Sequence, residues 1–289
     1  MPACLDTLLI GLYVLADDFL LPRRGPGHPP RITDAELVCL AVAQMLLDCP
    51  GDRRFLAIAR YRLGHLFPYL PQQPGYNKRV RALAPSIVRL LNQIVFESPS
   101  FGDRLWLLDG TPIPCGQSRE TARRSELAGY AAYGWSRSHS RNYWGFRLVL
   151  ICAPDGMPIG FELAAANVSE RKIAAEILER LPVAGRTILA DKGFAGREFE
   201  AMIEQMGGRL LRPDRKDEPR RFGELGAVRQ WIESIIDSLK GQLSLERHGA
   251  HTMPGLMARI ACRLLALAAA IRHNQLVGNW DRSLIHYDH

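Results

Sequence analysis

The chain has 289 residues, a formal net charge of +7 and a sequence pI of about 9.3. That length allows a large core and two domains, and the basic balance fits an anionic partner or ordinary solubility, with no bearing on the fold. Six scattered cysteines, Cys4, Cys39, Cys49, Cys115, Cys152 and Cys262, make no C-x-x-C pair and have no histidine at zinc-finger spacing. That pattern argues against structural zinc and a disulfide framework, and for thiols in a reducing cytoplasm. Leu8 to Ala16 is apolar but follows no basic residue and is closed by Asp17-Asp18, so it fails as a signal peptide. Leu256 to Ile271 carries Arg259 and Arg263 and makes a poor membrane span. Both read as core helices, and no membrane partner is expected.

Residues 1–100 read as a helical domain. Thr33-Asp34-Ala35-Glu36 has the spacing of a capping box, and Leu37, Leu40, Ala41 and Met45 follow at helical intervals. Pro50-Gly51 stops that helix. A second runs from Asp52 to Leu63, and a third from Asn77 to Val95 with Val80, Leu83, Ile87, Leu90 and Leu91 inward. Arg53, Arg54, Arg60, Arg62, Arg79, Arg81 and Arg89 make the segment basic. A DNA-binding helical domain and a helical accessory domain with solvated arginines both fit.

From residue 101 to 277 the pattern changes. Leu105-Trp106-Leu107-Leu108 is an apolar run that ends in Asp109-Gly110, and Thr187-Ile188-Leu189-Ala190 ends in Asp191. Such runs suit strands buried on both faces. Between Gly116 and Asn142 periodicity is lost. Arg119, Arg123, Arg124, Arg137 and Arg141 fall there among Tyr130, Tyr133 and Trp135, which suits a nucleic-acid backbone or a solvated loop. Tyr143–Ala153 and Met157–Ala164 form a hairpin around Pro154-Asp155-Gly156. A helix capped by Ser169 runs to Leu181, another covers Gly196 to Met206, and a short strand covers Gly208 to Arg212. The charged stretch 213–226 has the look of a loop. Helices over Ala227–Leu243 and Pro254–Asn274 follow, then a tail at 278–289. This order predicts an α/β fold with a mixed sheet flanked by helices, compatible with a ribonuclease-H-like arrangement.

Ligands of open α/β sheets sit beyond the carboxyl ends of the strands, where Asp109 and Asp191 are expected. A third carboxylate, Glu233, shares a helix face with Arg229, Asp237 and Lys240, while Val228, Trp231, Ile232, Ile235 and Leu239 line the packing face. In isolation that charged face also fits a solvated ion-pair ladder. Three converging carboxylates repel one another unless a cation offsets the cost. Magnesium, with substrate phosphate oxygens, suits them, and two such ions can serve phosphodiester cleavage.

These residues resemble the DDE class of bacterial insertion-sequence transposases. The resemblance rests on Leu107-Leu108-Asp109-Gly110-Thr111-Pro112-Ile113, on Ala190-Asp191-Lys192-Gly193-Phe194, and on Arg229-x3-Glu233-x6-Lys240. The Tyr143-Trp144-Gly145-Phe146-Arg147-Leu148 stretch is similar to the strand after the family's basic loop. The chain departs from the pattern at Gly226, where the family has tyrosine. The resemblance implies a ribonuclease-H-like, retroviral-integrase-like domain. It implies nicking at transposon ends and joining of the 3′-hydroxyl to target DNA, with Asp109, Asp191 and Glu233 holding two Mg2+ or Mn2+ ions. Arg229, Lys240, Arg119, Arg123, Arg124, Arg137, Arg141 and Lys192 would hold double-stranded DNA. Synapsis implies a homodimer or larger assembly, in a bacterial cytoplasm at the nucleoid. A ribonuclease-H-like nuclease without strand transfer, and a non-catalytic DNA-binding derivative, are the competing readings. The first needs the same carboxylates; the second could lose them.

Overall fold

The structure is a computed structural model that describes residues 4–20, 30–116, 118–136, 140–214, 218 and 225–287, without the side chains of 226–229. Most of the charged stretch 213–226 therefore lies outside the described residues. The chain divides into two compact units, Met1–Ile94 with Leu239–His289, and Val95–Ser238.

The first unit is helical. It contains α1 (Leu5–Phe19), α2 (Asp34–Leu46), α3 (Asp52–Arg62), α4 (Gln73–Ala82) and most of α5 (Ala84–Glu97). The capping box forms: Thr33 Oγ1 accepts from the Glu36 amide at 3.1 Å, and the Thr33 amide donates to Glu36 Oε2 at 2.6 Å. Helix α2 is buried from Leu37 to Leu46, with neighbours on every side. The third helix expected from the sequence is instead two, α4 and α5, divided at Leu83. Pro85 is the cause. It has no amide to donate to Arg81, its ring crowds that carbonyl, and it is tolerated only in the first turn of a new helix.

The last long helix of the chain (Met253–Leu276) packs on α1, α2 and α4. The sequence pattern places this helix with the α/β domain; by contact it belongs to the helical unit. The helix has mean hydropathy 1.6 and is long and apolar enough to cross a membrane, yet its apolar window is 83% buried within the protein. An apolar surface on all sides needs a surround of other helices, and the N-terminal helices supply it.

The second unit is built on one mixed sheet. Its strands are β1 (Leu105–Gly116), β2 (Ala132–Ser136), β3 (Arg141–Cys152), β4 (Pro158–Ala165), β5 (Thr187–Ala190) and β6 (Arg209–Leu211). The hydrogen-bonded order is β2-β3-β1-β5-β6. Strand β3 runs antiparallel to β1. Its outer edge is shared end to end, with Arg141–Gly145 pairing β2 and Phe146–Cys152 pairing β4. Strands β5 and β6 run parallel to β1. Gly156 closes the β3–β4 turn with φ +95°, a conformation that glycine adopts at no steric cost.

Helices α6 (Arg119–Arg124), α7 (Glu170–Leu178), α8 (Arg197–Gln205) and α9 (Gly226–Gly241) complete the chain before the last long helix, α10. This is the mixed α/β architecture expected from the sequence, with helical residues before it. Two differences stand out. The stretch 116–142 holds α6 and β2, where the sequence shows no periodicity. Among the described side chains of α9 the buried ones are Ile232, Ile235, Ile236 and Leu239, and Trp231 is 45% exposed. Trp231 lies about 90° around the helix from the centre of the stripe those four residues form, just outside its edge. Trp231→Ala is accordingly expected to change unfolding free energy by less than about 0.5 kcal/mol, as read from denaturant melts. A loss several times larger would show that Trp231 is a packing residue.

Candidate active site

Parallel pairing brings the two sequence-predicted aspartates side by side. Leu105 pairs with Thr187 and Leu108 with Ala190, so Asp109 and Asp191 are the next residues on neighbouring strands. Asp109 is not at the end of β1, as the sequence reading placed it. It stands where β1 loses its β5 partner, and the strand continues along β3 with Asp109 opposite Leu150. Asp191 leaves its strand at once. Its Oδ1 accepts from the Lys192 amide at 2.6 Å and caps a 3-10 turn over Lys192–Phe194.

The electrostatics of Asp109 report its neighbours. Its carboxyl pKa is pushed up to about 7. Burial is the largest cause. The Gly110 amide, donating to Asp109 Oδ1 at 2.7 Å, pulls the other way. The negative charges of Glu170, Asp191 and Glu233 add to the rise. Glu233 acts from the exposed side of α9. The predicted carboxylates thus act on Asp109 through a shared field, and a fourth one joins them.

Glu170 is the residue that sequence reasoning missed. It is the first residue of α7, where an acidic side chain is accounted for by the helix dipole alone. Its carboxylate packs on Gly110, whose Cβ, if present, would stand 3.0 Å from Glu170 Oε1. Arg147 accompanies it, with Nε 3.4 Å from Glu170 Oε1 and Nη1 donating to the Val168 carbonyl at 3.2 Å. Arg147 lies within the strand motif read from the sequence, without a role assigned there.

A donor set of carboxylate oxygens fits hard divalent cations such as Mg2+ and Mn2+. A cation would also relieve the repulsion felt at Asp109. Among the described residues no three His, Cys, Asp or Glu side chains are grouped closely enough to hold an ion as they stand.

The predicted DNA-contacting cations are placed as follows. Arg119, Arg123 and Arg124 are exposed on α6, with Arg124 paired to Glu120 at 2.8 Å. Arg141 is exposed at the start of β3, and Lys192 is exposed directly after Asp191. Lys240 is partly buried and pairs with Glu246 at 3.4 Å. Arg137 and the Arg229 side chain lie outside the described residues. Tyr130, Tyr133 and Trp135 are all more than half exposed. Tyr133 and Trp135 share one face of β2, as alternation requires.

Sheet order and flanking helices together define a mixed α/β protein with Asp109 and Asp191 adjacent at its middle strand. The transposase DDE domain family matches residues 100–269, more than half of the chain, and the chain belongs to that family. Its members are nucleic-acid-cutting enzymes that generally use divalent metal ions. No curated protein matches the sequence. Among solved structures, a piggyBac transposase in a synaptic complex with hairpin DNA is similar at 11% identity and a TM-score of 0.43, over 96% of this chain and 75% of that one.

Proposed function

We propose that this chain is the DNA transposase of an insertion sequence. It cuts phosphodiester bonds at the element's ends and joins the freed 3′-hydroxyl to target DNA. The observation that carries the reading is the parallel register that leaves Asp109 and Asp191 side by side where the β1–β5 ladder ends, with the charges of Asp191 and Glu233 both acting on Asp109. In this reading Asp109, Asp191 and Glu233 hold two Mg2+ or Mn2+ ions. Bound there, the ions supply an activated nucleophile and stabilise the leaving oxygen in an in-line displacement. The protein's share is to bring the carboxylates together, at a cost felt at Asp109 that the ions would offset. Arg119, Arg123, Arg124, Arg141 and Lys192 bind phosphates and position the duplex without reading its sequence. Arg137, Arg229 and Lys240 are proposed to do the same. Synapsis of two ends requires at least two copies of the chain, acting at the nucleoid of a bacterial cytoplasm.

The test is a cleavage assay on duplexes bearing the element's ends, with Mg2+ or Mn2+ and a second duplex as target. Metal-dependent nicks leaving a 3′-hydroxyl that becomes joined to the target are expected. Nicking with no joining under any metal would reduce the protein to a nuclease. Tight DNA binding by folded protein with no cutting would reduce it to a DNA-binding derivative. Asp237, one turn beyond Glu233, is exposed and is not among the leading charges that act on Asp109. Asp237→Ala is therefore expected to nick within about threefold of wild type, less than the ~0.7 kcal/mol that tells a reaction group from a bystander. A dead Asp237→Ala beside an active Glu233→Ala would place the third carboxylate one turn further on.

A further inference from the structure

The sheet fixes the residues before the two aspartates, and the aspartates themselves lie one step beyond its ladder. The ladder between β1 and β5 ends at Leu108 and Ala190, and Asp191 then swings into its 3-10 turn. Within that turn the Phe194 amide donates to the Asp191 carbonyl at 3.0 Å and the Ala195 amide to the Lys192 carbonyl at 3.2 Å. Those bonds shape the turn but do not tie it to β1.

The first turn of α7 spans the gap. Ser169 caps it, accepting from the Lys172 amide at 3.3 Å. Glu170 reaches toward β1 and lies on Gly110, beside Asp109, with Arg147 of β3 seated behind it. Arg171, the next residue, reaches the Asp191 turn instead. Its Nη1 donates to the Ala195 carbonyl at 2.5 Å, at the end of the Asp191 turn. It fits there because residue 196 is glycine: a Cβ at that position would meet the same nitrogen at 2.6 Å. Adjacent residues of one helix thus touch the segments that carry both aspartates, each against a glycine that leaves room for it. The helix itself is anchored by Ile173, Ala174, Ile177 and Leu178, all buried.

We propose that Glu170 and Arg171 are positioning residues, a strut that sets the separation of Asp109 and Asp191 and so the geometry in which they take up a divalent cation. The inference rests on the carboxylate reading given under Proposed function. A guanidinium bonded to a carbonyl is stronger and more directional than a neutral pair. Groups that orient metal ligands typically cost 10- to 100-fold in metal affinity or activity when removed, and catalytic constellations tolerate only ~0.5 Å of drift.

The experiment titrates the full chain with Mn2+ and follows melting temperature, with nicking of end-bearing DNA measured in parallel. The variants are Arg171→Ala, Arg171→Lys, Gly196→Ala, Glu170→Ala and Asp109→Asn. Arg171→Ala is expected to need about 10-fold more Mn2+ for half of its thermal shift and to nick ~10–100-fold more slowly, with a metal-free melting temperature near wild type. Gly196→Ala reproduces this, because its methyl displaces the Arg171 head. Arg171→Lys recovers part of the loss, since an ammonium can still reach the carbonyl. Glu170→Ala moves in the same direction.

Wild-type Mn2+ dependence in both Arg171→Ala and Gly196→Ala overturns the strut. So does a variant that only melts lower, with unchanged Mn2+ half-saturation and unchanged nicking per folded molecule, for that is a plain brace. Asp109→Asn separates the two levels. Loss of its Mn2+ shift upholds the carboxylate site whatever Arg171 does. A wild-type shift in Asp109→Asn, or none in wild type, overturns the carboxylate reading and the strut with it.

Discussion

Asp109→Asn is expected to nick DNA on the order of 10³-fold more slowly than wild type while making the metal-free protein more stable at pH 8. The first effect follows from removing a charge at the centre of the proposed site, since a metal's stabilisation of the transition state is worth several kcal/mol and each ~1.4 kcal/mol is tenfold in rate. Glu233→Ala is expected to match that loss while keeping DNA binding. The second effect is a linkage argument. The Asp109 carboxyl is raised from 3.8 to about 7 on folding, chiefly by burial, with Glu170, Asp191 and Glu233 adding to it. A group whose folded pKa is raised contributes stability that is complete below the unfolded value and lost as pH rises through the folded one. Between pH 3.8 and 7 the folded wild type therefore loses stability step by step, and at pH 8 it carries the full cost of an ionised, partly buried carboxylate.

Asparagine keeps an oxygen for the Gly110 amide and carries no charge. With a chelator present, Asp109→Asn should be about 2 kcal/mol more stable than wild type at pH 8, roughly half of the full linkage because the site is partly open to water. The gain should fade toward pH 4, and Mn2+ should stabilise wild type alone. Melts across that pH range provide the check. A mutant that unfolds at or below the wild-type temperature at pH 8 would mean that neither burial nor the neighbouring carboxylates raise Asp109 on folding, and the case for a charge-relieving metal there would lose its physical basis.

The second large effect lies in the helical unit. Asp52→Ala is expected to destabilise it by about 3–5 kcal/mol, the usual result of removing one partner from a buried ion pair. Asp52 opens α3 and is 7% exposed. Its Oδ1 accepts from Gln44 at 3.0 Å and from Arg259 of α10, and its Oδ2 accepts from Asn77 at 2.8 Å. Tyr76 donates its hydroxyl to Gln44 Oε1 at 2.8 Å, so one network joins α2, α3, α4 and α10. Truncating Asp52 would leave the Arg259 guanidinium, itself mostly buried, without its counter-charge.

The pH sign here is opposite to that of Asp109. Burial alone would raise the Asp52 pKa, but Arg259 and the hydrogen bonds from Gln44 and Asn77 outweigh it and hold the carboxyl below its ordinary value. The stability it contributes is present above the ordinary carboxylate range and is lost as pH falls through the depressed folded pKa. The gap between wild type and Asp52→Ala should therefore narrow in acid. Urea unfolding at pH 7 and pH 3 would measure it, and equal midpoints at pH 7 would show that the network contributes nothing.

Where a local rule governed, the sequence alone was sufficient. The capping box at Thr33 and Glu36, the Asp155-Gly156 turn, the Ser169 cap and the apolar runs into Asp109 and Asp191 each depend on residues within a few positions of one another. Their physics is complete in a short window: an orphan amide, a positive φ, a strand too apolar for water. The division between α4 and α5 was equally local, because Pro85 is in the sequence and its ring forbids the continuous helix. Other features depended on partners far along the chain. Ala132–Ser136 becomes a strand only because β3 offers it an edge, and α10 joins α1, α2 and α4 because they enclose an apolar surface that periodicity could not assign to either unit. Glu170 read as an ordinary helix-start carboxylate, since nothing local distinguishes a dipole partner from a neighbour of Asp109. The sequence by itself determined most of the element types, the family motifs and the apolar runs that lead into the two aspartates. Only the tertiary structure decided which carboxylates share a field and which arginine ties their loops together, because long-range sheet pairing and helix packing set those distances.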